Sequence, residues 1–271
     1  MKKDFRNTSW QKVAPWYNKI TAQGQGHYYH QHVVIPGVFR LLDLSQTPNS
    51  PNSKIQDSRF SILDMACGNG VLAKSLPKDV EYLGIDLSES LVNTAKKEDK
   101  NYKHKYLIAD IANPLNPPNS LIGSDFSHAA IILALQNILN PLNALKNASD
   151  HLLTGGTLVI VLNHPAFRIP RQSSWGIDEE RKIQYRRIDK YMSPMEIPIN
   201  MNPSDRNSEK TISYHFPISY YSKILSEAGF VIELMEEWTS DKESVGRAGK
   251  MENRSRAEIP LFLAIKAKKT G

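Results

Sequence analysis

Short apolar runs recur through the middle of the chain, at 60–64, 80–86, 102–109, 125–133 and 157–162. Between them lie stretches whose apolar residues fall at helical spacing. Ser88 is placed to cap a helix over 89–97, with Leu91 and Ala95 on one face. Asn140-Pro141 reads as a cap followed by proline at the first helical position. Leu142, Leu145, Ala148 and Leu152 then mark a buried face, and Gly155-Gly156 is predicted to end that helix. Val71 to Leu76 reads as the start of another helix, stopped by Pro77. The runs at 125–133 and 157–162 are continuously apolar, as strands buried on both faces are. This alternation predicts a doubly wound α/β fold, a mainly parallel sheet with helices on both faces.

The flanks differ. Trp10, Val13, Trp16, Tyr17 and Ile20 lie near helical spacing, with Thr8 or Ser9 as a cap, and Pro15 divides the stretch into two short pieces. Residues 33–44 read as helix, with Pro36-Gly37 near its start. Residues 45–59 are a polar, Pro-rich loop. The predicted organisation is therefore an N-terminal helical cap and linker over 1–59 and a core over 60–271. The pattern breaks after Asn163, and the polar, Arg-rich stretch 164–217 reads as an insertion. Arg181 to Lys190 sit at helical spacing, as a solvated face paired with its own acids. Order returns at Ser219, a cap for a helix through Ile224 and Leu225 to Gly229. Strands at 230–238 and 260–267, joined by a charged loop, form a long hairpin.

Composition narrows the class. A chain of 271 residues suffices for one large α/β domain plus an insertion. The longest apolar run, 129–135, is too short to span a bilayer, and the start is polar. A single cysteine, Cys67, excludes a disulfide framework and suits a reducing, cytoplasmic setting. The net charge of +6 permits a nucleic-acid or acidic partner without requiring one, because it is spread along the chain.

The candidate chemistry sits at strand ends. Asp64, Asp86 and Asp110 close three successive strands, and in a parallel sheet those ends share one edge, where ligands bind. A small-residue loop, Ala66, Cys67, Gly68 and Gly70, follows the first acid and lets backbone approach a ligand. Asp86 is placed to accept ribose hydroxyls and Asp110 to reach an adenine amino group. Gly68-Asn69-Gly70-Val71-Leu72-Ala73 fits the dinucleotide fingerprint, yet Asp64 would repel a phosphate there. A cationic nucleoside explains Asp64 better.

These residues resemble the class I S-adenosylmethionine-dependent methyltransferases. The resemblance covers about 60–163 and 218–267. It rests on Leu63-Asp64-Met65-Ala66-Cys67-Gly68-Asn69-Gly70, Gly84-Ile85-Asp86-Leu87-Ser88, Ala109-Asp110-Ile111 and Leu153-Thr154-Gly155-Gly156. It implies a seven-stranded sheet whose last strand is antiparallel. It implies S-adenosylmethionine as cofactor, with the Gly loop against its methionine part, Asp86 on the ribose beside Leu87 and Ser88, and Asp110 and Ile111 about the adenine. Residues from Ala134 to Asn137 would stand near the methyl donor. Ala66 departs from the commonest pattern, which has glycine there. The aromatic residues of the cap supply Tyr17 and Tyr28 as further cofactor contacts.

Methyl transfer is an in-line displacement at a sulfonium, and positioning and desolvation carry much of it. A neutral hydroxyl acceptor needs a base, for which His164, His215 and His30 are candidates, His164 foremost by its position after 157–162. The histidines at 27, 30 and 32 do not form a convincing metal site. Arg168 and Arg171 are placed to clamp a carboxylate or phosphate. The leading expectation is methyl transfer to a small anionic or aromatic molecule. An RNA or protein methyltransferase using the basic insertion, and a non-catalytic S-adenosylmethionine-binding module, are the alternatives.

Overall fold

The computed structural model describes residues 10–23, 28–44, 60–115, 126–202 and 205–271. Seven strands form the central sheet: β1 (Ser61–Met65), β2 (Glu81–Asp86), β3 (His104–Ile108), β4 (Phe126–Ile132), β5 (Leu152–Asn163), β10 (Phe230–Trp238) and β11 (Phe262–Lys269). Their spatial order is β10-β11-β5-β4-β1-β2-β3. Strands β1 to β5 pair in parallel, whereas β11 runs antiparallel to both β5 and β10. The last strand in sequence is thus the reversed one. The strand order changes direction between β1 and β4, the place where an open sheet leaves a crevice at its strand ends.

Alternation along the strands divides the core. Leu63, Met65, Leu158, Ile160 and Leu162 face one side, where α4 (Pro141–His151) and α5 (Ile218–Glu227) cover them. Their neighbours Ile62, Val159 and Val161 face the other side, with Val38 and Leu41 of α2 (Ile35–Leu41). The remaining core helix, α3 (Glu89–Glu98), packs on β2 and β3. Ser88 caps it, its Oγ accepting the Leu91 N–H at 3.4 Å. Among the described residues no helix is long and apolar enough to cross a membrane.

The N-terminal segment is a 3-10 turn, Gln11–Val13, followed by α1 (Ala14–Gln23). Pro15 falls in the first helical turn, where its missing N–H costs nothing. A π turn over His30–Val34 leads directly into α2. Thr8, Ser9, His27, Asp125 and the loop 45–59 lie outside the described residues.

Four local expectations are corrected. Residues 71–76 form a single 3-10 turn, Ala73–Ser75, rather than an α-helix. Pro77 forces the preceding Leu76 to an extended ψ of 149°, so the turn has no room to propagate. Gly155-Gly156 lies inside β5, at its register irregularity against β4, and α4 has already ended at His151. The stretch around 181–190 is not helical. It belongs to an antiparallel hairpin of β6 (Ser173–Asp178) and β7 (Ile183–Ile188), favoured by Trp175, Ile177, Ile183, Tyr185 and Ile188. A second hairpin, β8 (Met195–Asn200) and β9 (Lys210–His215), completes the insertion. Finally, the charged connection between β10 and β11 holds a helix, α6 (Gly249–Glu258).

The cap meets the sheet at one tight point. A Cβ on Gly37 of α2 would lie 2.4 Å from Cζ2 of Trp238. Helix propensity favours alanine there by about 1 kcal/mol, but overpacking a buried contact costs about 1–3 kcal/mol. Gly37→Ala should therefore lower stability in urea melts. A more stable variant would show that the Trp238 ring yields freely.

Candidate active site

The turn after β1 doubles back through left-handed backbone. Ala66, Gly68 and Gly70 have φ of 66°, 57° and 75°. The first is a conformation that glycine would hold with less strain. Backbone N–H groups anchor the turn: Cys67 donates to Ile85 O at 2.9 Å and Gly70 to Cys67 O at 3.0 Å. The carboxylate of Asp86 binds it from the side. One oxygen accepts the Gly68 N–H at 2.9 Å and the other the Ser88 N–H at 2.8 Å. Burial raises the Asp86 pKa, and these two bonds oppose that rise. Each oxygen keeps a further lone pair for a ligand hydroxyl.

Asp64 is buried within β1 and accepts the Tyr82 hydroxyl at 2.7 Å. Burial lifts its pKa to about 7, the Tyr82 bond opposing that shift and the Asp86 charge adding to it. Tyr17 of α1 lies above. Its ring is 3.6 Å from where a Gly68 Cβ would be, and its hydroxyl pKa is raised by burial first, then by Asp86 and Asp64.

A cavity of about 290 Å³ opens at this edge. Tyr17, Ala66, Gly68, Asp86 and Leu87 line one part, and Asp110 and Ile111 continue it. Ala134 and Asn137, beyond β4, line the other end. These sequence-selected residues are brought together. Asp110 is also committed to its own turn, accepting the Ala112 N–H at 2.9 Å and Asn113 Nδ2 at 3.1 Å. A larger cavity of about 680 Å³ lies on the far side of Asn69 and contains none of the three acids.

Several selected residues lie outside the cavity lining. Cys67 is buried against Gly84, where a Cβ would come within 2.8 Å of its Sγ, and burial pushes its thiol pKa well up; it fills space. Gly70 faces Tyr106 and Ala95 behind the turn. Ser88 is the buried cap of α3, and Asp64 sits beneath the turn. Tyr28 stacks on His32 with ring centroids 4.3 Å apart, beneath the Lys242 ammonium. The placement of His164 corrects its reading as a base. Its Nδ1 accepts the Ala166 and Phe167 N–H groups, which leaves the proton on Nε2, 2.6 Å from Glu237 Oε1. It is a turn-organising residue, and burial depresses its pKa. His215 is similarly engaged with Tyr191 O at 2.7 Å; of the three candidate bases only His30 lines the cavity. Arg168 and Arg171 are exposed, and only Pro170 between them reaches the lining, so the anion clamp is not formed.

Of the other lining residues, Trp10 belongs to the aromatic stretch of the cap and Gln136 to the stretch after β4, whereas Asn163, Ile199 and Ser213 carried no readable sequence signal. Trp10 lies over Tyr17 with centroids 5.8 Å apart. Gln136, Asn163, Ile199 and Ser213 come from four separate segments. Two further tethers bind the N-terminal segment to the core. Asn69 donates to Asn18 Oδ1 at 2.9 Å and Thr21 Oγ at 2.8 Å. Gln11 Oε1 accepts the Ser90 N–H at 2.9 Å and the Ser88 hydroxyl at 3.1 Å.

Comparison with known proteins agrees with this architecture. Residues 63–158 match the family model described as a methyltransferase domain. A search of curated proteins found no match. Among solved structures, the chain is similar to an S-adenosylmethionine-dependent methyltransferase from Mesorhizobium loti at 24% identity and a TM-score of 0.59, covering 77% of this chain and 90% of that one. It is similar to another from Clostridium acetobutylicum at 17% identity and a TM-score of 0.57, covering 97% and 99%. A glycopeptide N-methyltransferase complexed with S-adenosylmethionine aligns at 14% identity and a TM-score of 0.50, covering 86% and 92%. At these identities the structures speak for the fold. The family match spans β1 to β5, and the fold is that of the class I methyltransferases. With its methyltransferase domain the protein is an enzyme, and its cofactor is S-adenosylmethionine.

Asp86→Ala should weaken S-adenosylhomocysteine binding by about 1–3 kcal/mol and also lower the melting temperature, because the carboxylate holds Gly68 and Ser88 as well as any ligand. Asp86→Asn should cost a similar amount, since one acceptor becomes a donor facing an N–H. Calorimetry showing wild-type affinity for Asp86→Asn would contradict this.

Asp64 gives a pH signature. Its folded pKa, about 7, lies above the ordinary value of 3.8. Ionisation therefore opposes folding, with a penalty that is absent below about pH 4, grows towards pH 7 and is constant above it. Asp64→Asn should raise the melting temperature relative to wild type at pH 8 but not at pH 4, a difference of about 4 kcal/mol. A pH-independent difference would rule out a buried, strained carboxylate.

Proposed function

We propose that this methyltransferase acts on a small molecule bound in the cavity beside the cofactor. The observation that carries the reading is that segments from both the N-terminal part and the insertion border that cavity. Trp10 and Tyr17 of the N-terminal segment border it, and so do Ile199 of β8 and Ser213 of β9. Hairpin β8–β9 packs on the 3-10 turn Leu135–Asn137, which follows β4. The basic side chains Arg181, Lys182 and Arg187 sit on the other hairpin or its turn, exposed and outside the lining.

The residues present suit the cofactor. Gly68 leaves space under Tyr17 that a side chain would reduce, and Asp86 has unused acceptor capacity. When bound, S-adenosylmethionine supplies a methyl group activated by its sulfonium. The protein's part is orientation and exclusion of water. Asp86 holds the ribose while fixing the Gly loop. Asp64, beneath the turn, is close to half-ionised at pH 7, and its ionised form would favour a cationic ligand and disfavour a pyrophosphate. Leu87 and Ile111 would flank the adenine, and Ala134 and Asn137 would border the methyl group. Among the described residues no lysine or arginine lines the cavity, which favours an uncharged acceptor over an anionic one.

S-adenosylhomocysteine should raise the melting temperature by several degrees and NAD should not. With methyl-labelled S-adenosylmethionine and a cell extract, label should enter the small-molecule fraction. Label confined to RNA or protein would overturn the proposal.

A further inference from the structure

We propose that two copies of this chain pair antiparallel through β6 in an isologous dimer. The proposal is independent of the acceptor reading above, and its foundation is a comparison of strand edges. The outer strands are β10 and β3 in the central sheet, and β6, β7, β8 and β9 in the two hairpins. An open edge invites another strand, and proteins guard such edges with charge, proline, a bulge or a covering element. β10 is irregular between Ile232 and Leu234, where Glu233 stands. β3 carries Lys105, β7 carries Arg186 and Arg187 and is packed by α6, and β8 carries Glu196 and Pro198. β9 is buried beyond its first residue, Lys210. β6 lacks these guards: Ser173-Ser174-Trp175-Gly176-Ile177 is uncharged, free of proline and in regular register with β7. Among the described elements, β7 alone packs extensively along it.

The occupant of this edge has to match it in two respects. Trp175 and Ile177 share one face of β6 and are 38% and 48% exposed. The charge is polarised along the strand, with Arg171 before it and Asp178, Glu179 and Glu180 at its end. The ion pairs of this hairpin are Arg181 with Asp178 and Arg187 with Asp189, which leave the exposed Arg171, Glu179 and Glu180 unpaired among the described residues. A two-fold axis at Trp175 answers both. Each copy then lays the basic start of its β6 beside the acidic end of the other, twice over. The two Trp175 side chains meet at the axis, with an Ile177 on each diagonal, the arrangement in which cross-strand apolar pairs form. Parallel pairing would set like charges together, and self-pairing of β7 would oppose arginines. A second copy supplies both complements by symmetry, whereas an unrelated strand would have to carry them separately. Pro170, which lines the cavity, lies in the turn leading into β6, so the pairing also restrains one wall of the site.

The test is sedimentation velocity of the full chain at micromolar concentration. The mass should be twice 30.6 kDa. Ile177→Lys places a charge at an exposed position of the edge and should weaken the dimer roughly tenfold or more, while S-adenosylhomocysteine binds with a Kd within about twofold of wild type, which shows the fold intact. Arg171→Glu should weaken the dimer likewise, and adding Glu179→Arg and Glu180→Arg to the same chain should restore it, because the two ends are complementary again. A wild-type monomer would overturn the proposal. So would a dimer that Ile177→Lys and Arg171→Glu leave unchanged, or one that the triple variant fails to restore. A wild-type protein that dimerised as described but did not bind S-adenosylhomocysteine would remove the cofactor reading and leave this one standing.

Discussion

The Asp86 carboxylate, shared between the Gly68 and Ser88 N–H groups, is the contact on which the site depends. It joins the turn after β1 to Ser88, the N-cap of α3, so the two strand ends that face the ligand are held at fixed separation. The turn itself is unfavourable backbone. Three left-handed residues in five, one of them alanine, need an external restraint to persist. A carboxylate with two oxygens and two backbone donors provides it while leaving acceptor capacity unspent. Structural and ligand-binding roles are thus carried by one side chain.

The N-terminal segment extends the same logic. Asn69, between two of the loop's glycines, is bonded to Asn18 and Thr21, and Gln11 is bonded at the start of α3. These polar tethers help to hold Trp10 and Tyr17 over the cavity. At the opposite end the β8–β9 hairpin contributes Ile199 and Ser213. The cofactor end is therefore built from the sheet and its turns. The rest of the lining is assembled from segments remote in sequence.

Legibility followed the range of the interactions. The parallel strands, the Ser88 cap and the acids at successive strand ends were readable because burial on two faces and capping leave local patterns. The reversed β11 followed from the family resemblance, not from periodicity. The stretch 181–190 reads as a helix face because its basic residues mimic helical spacing, while cross-strand pairing such as Trp175 opposite Arg186 decides the structure. His164 illustrates a different limit. Its position after β5 suggested chemistry, but Glu237, supplied by β10, and two local N–H groups take both ring nitrogens.

The small-residue loop, the strand-end acids and the alternation of strand and helix were determined by the sequence alone, because each depends on neighbours a few residues apart. Together they identified the methyl donor's platform. Tertiary structure decided which side chains meet in the cavity. Arg168 and Arg171 flank Pro170 and yet stay outside, whereas Gln136, Asn163 and Ser213 converge from separate segments. The physical reason is that strand–helix alternation and small-residue turns leave local patterns, but the lining of a pocket depends on how distant hairpins pack, and no local pattern records that.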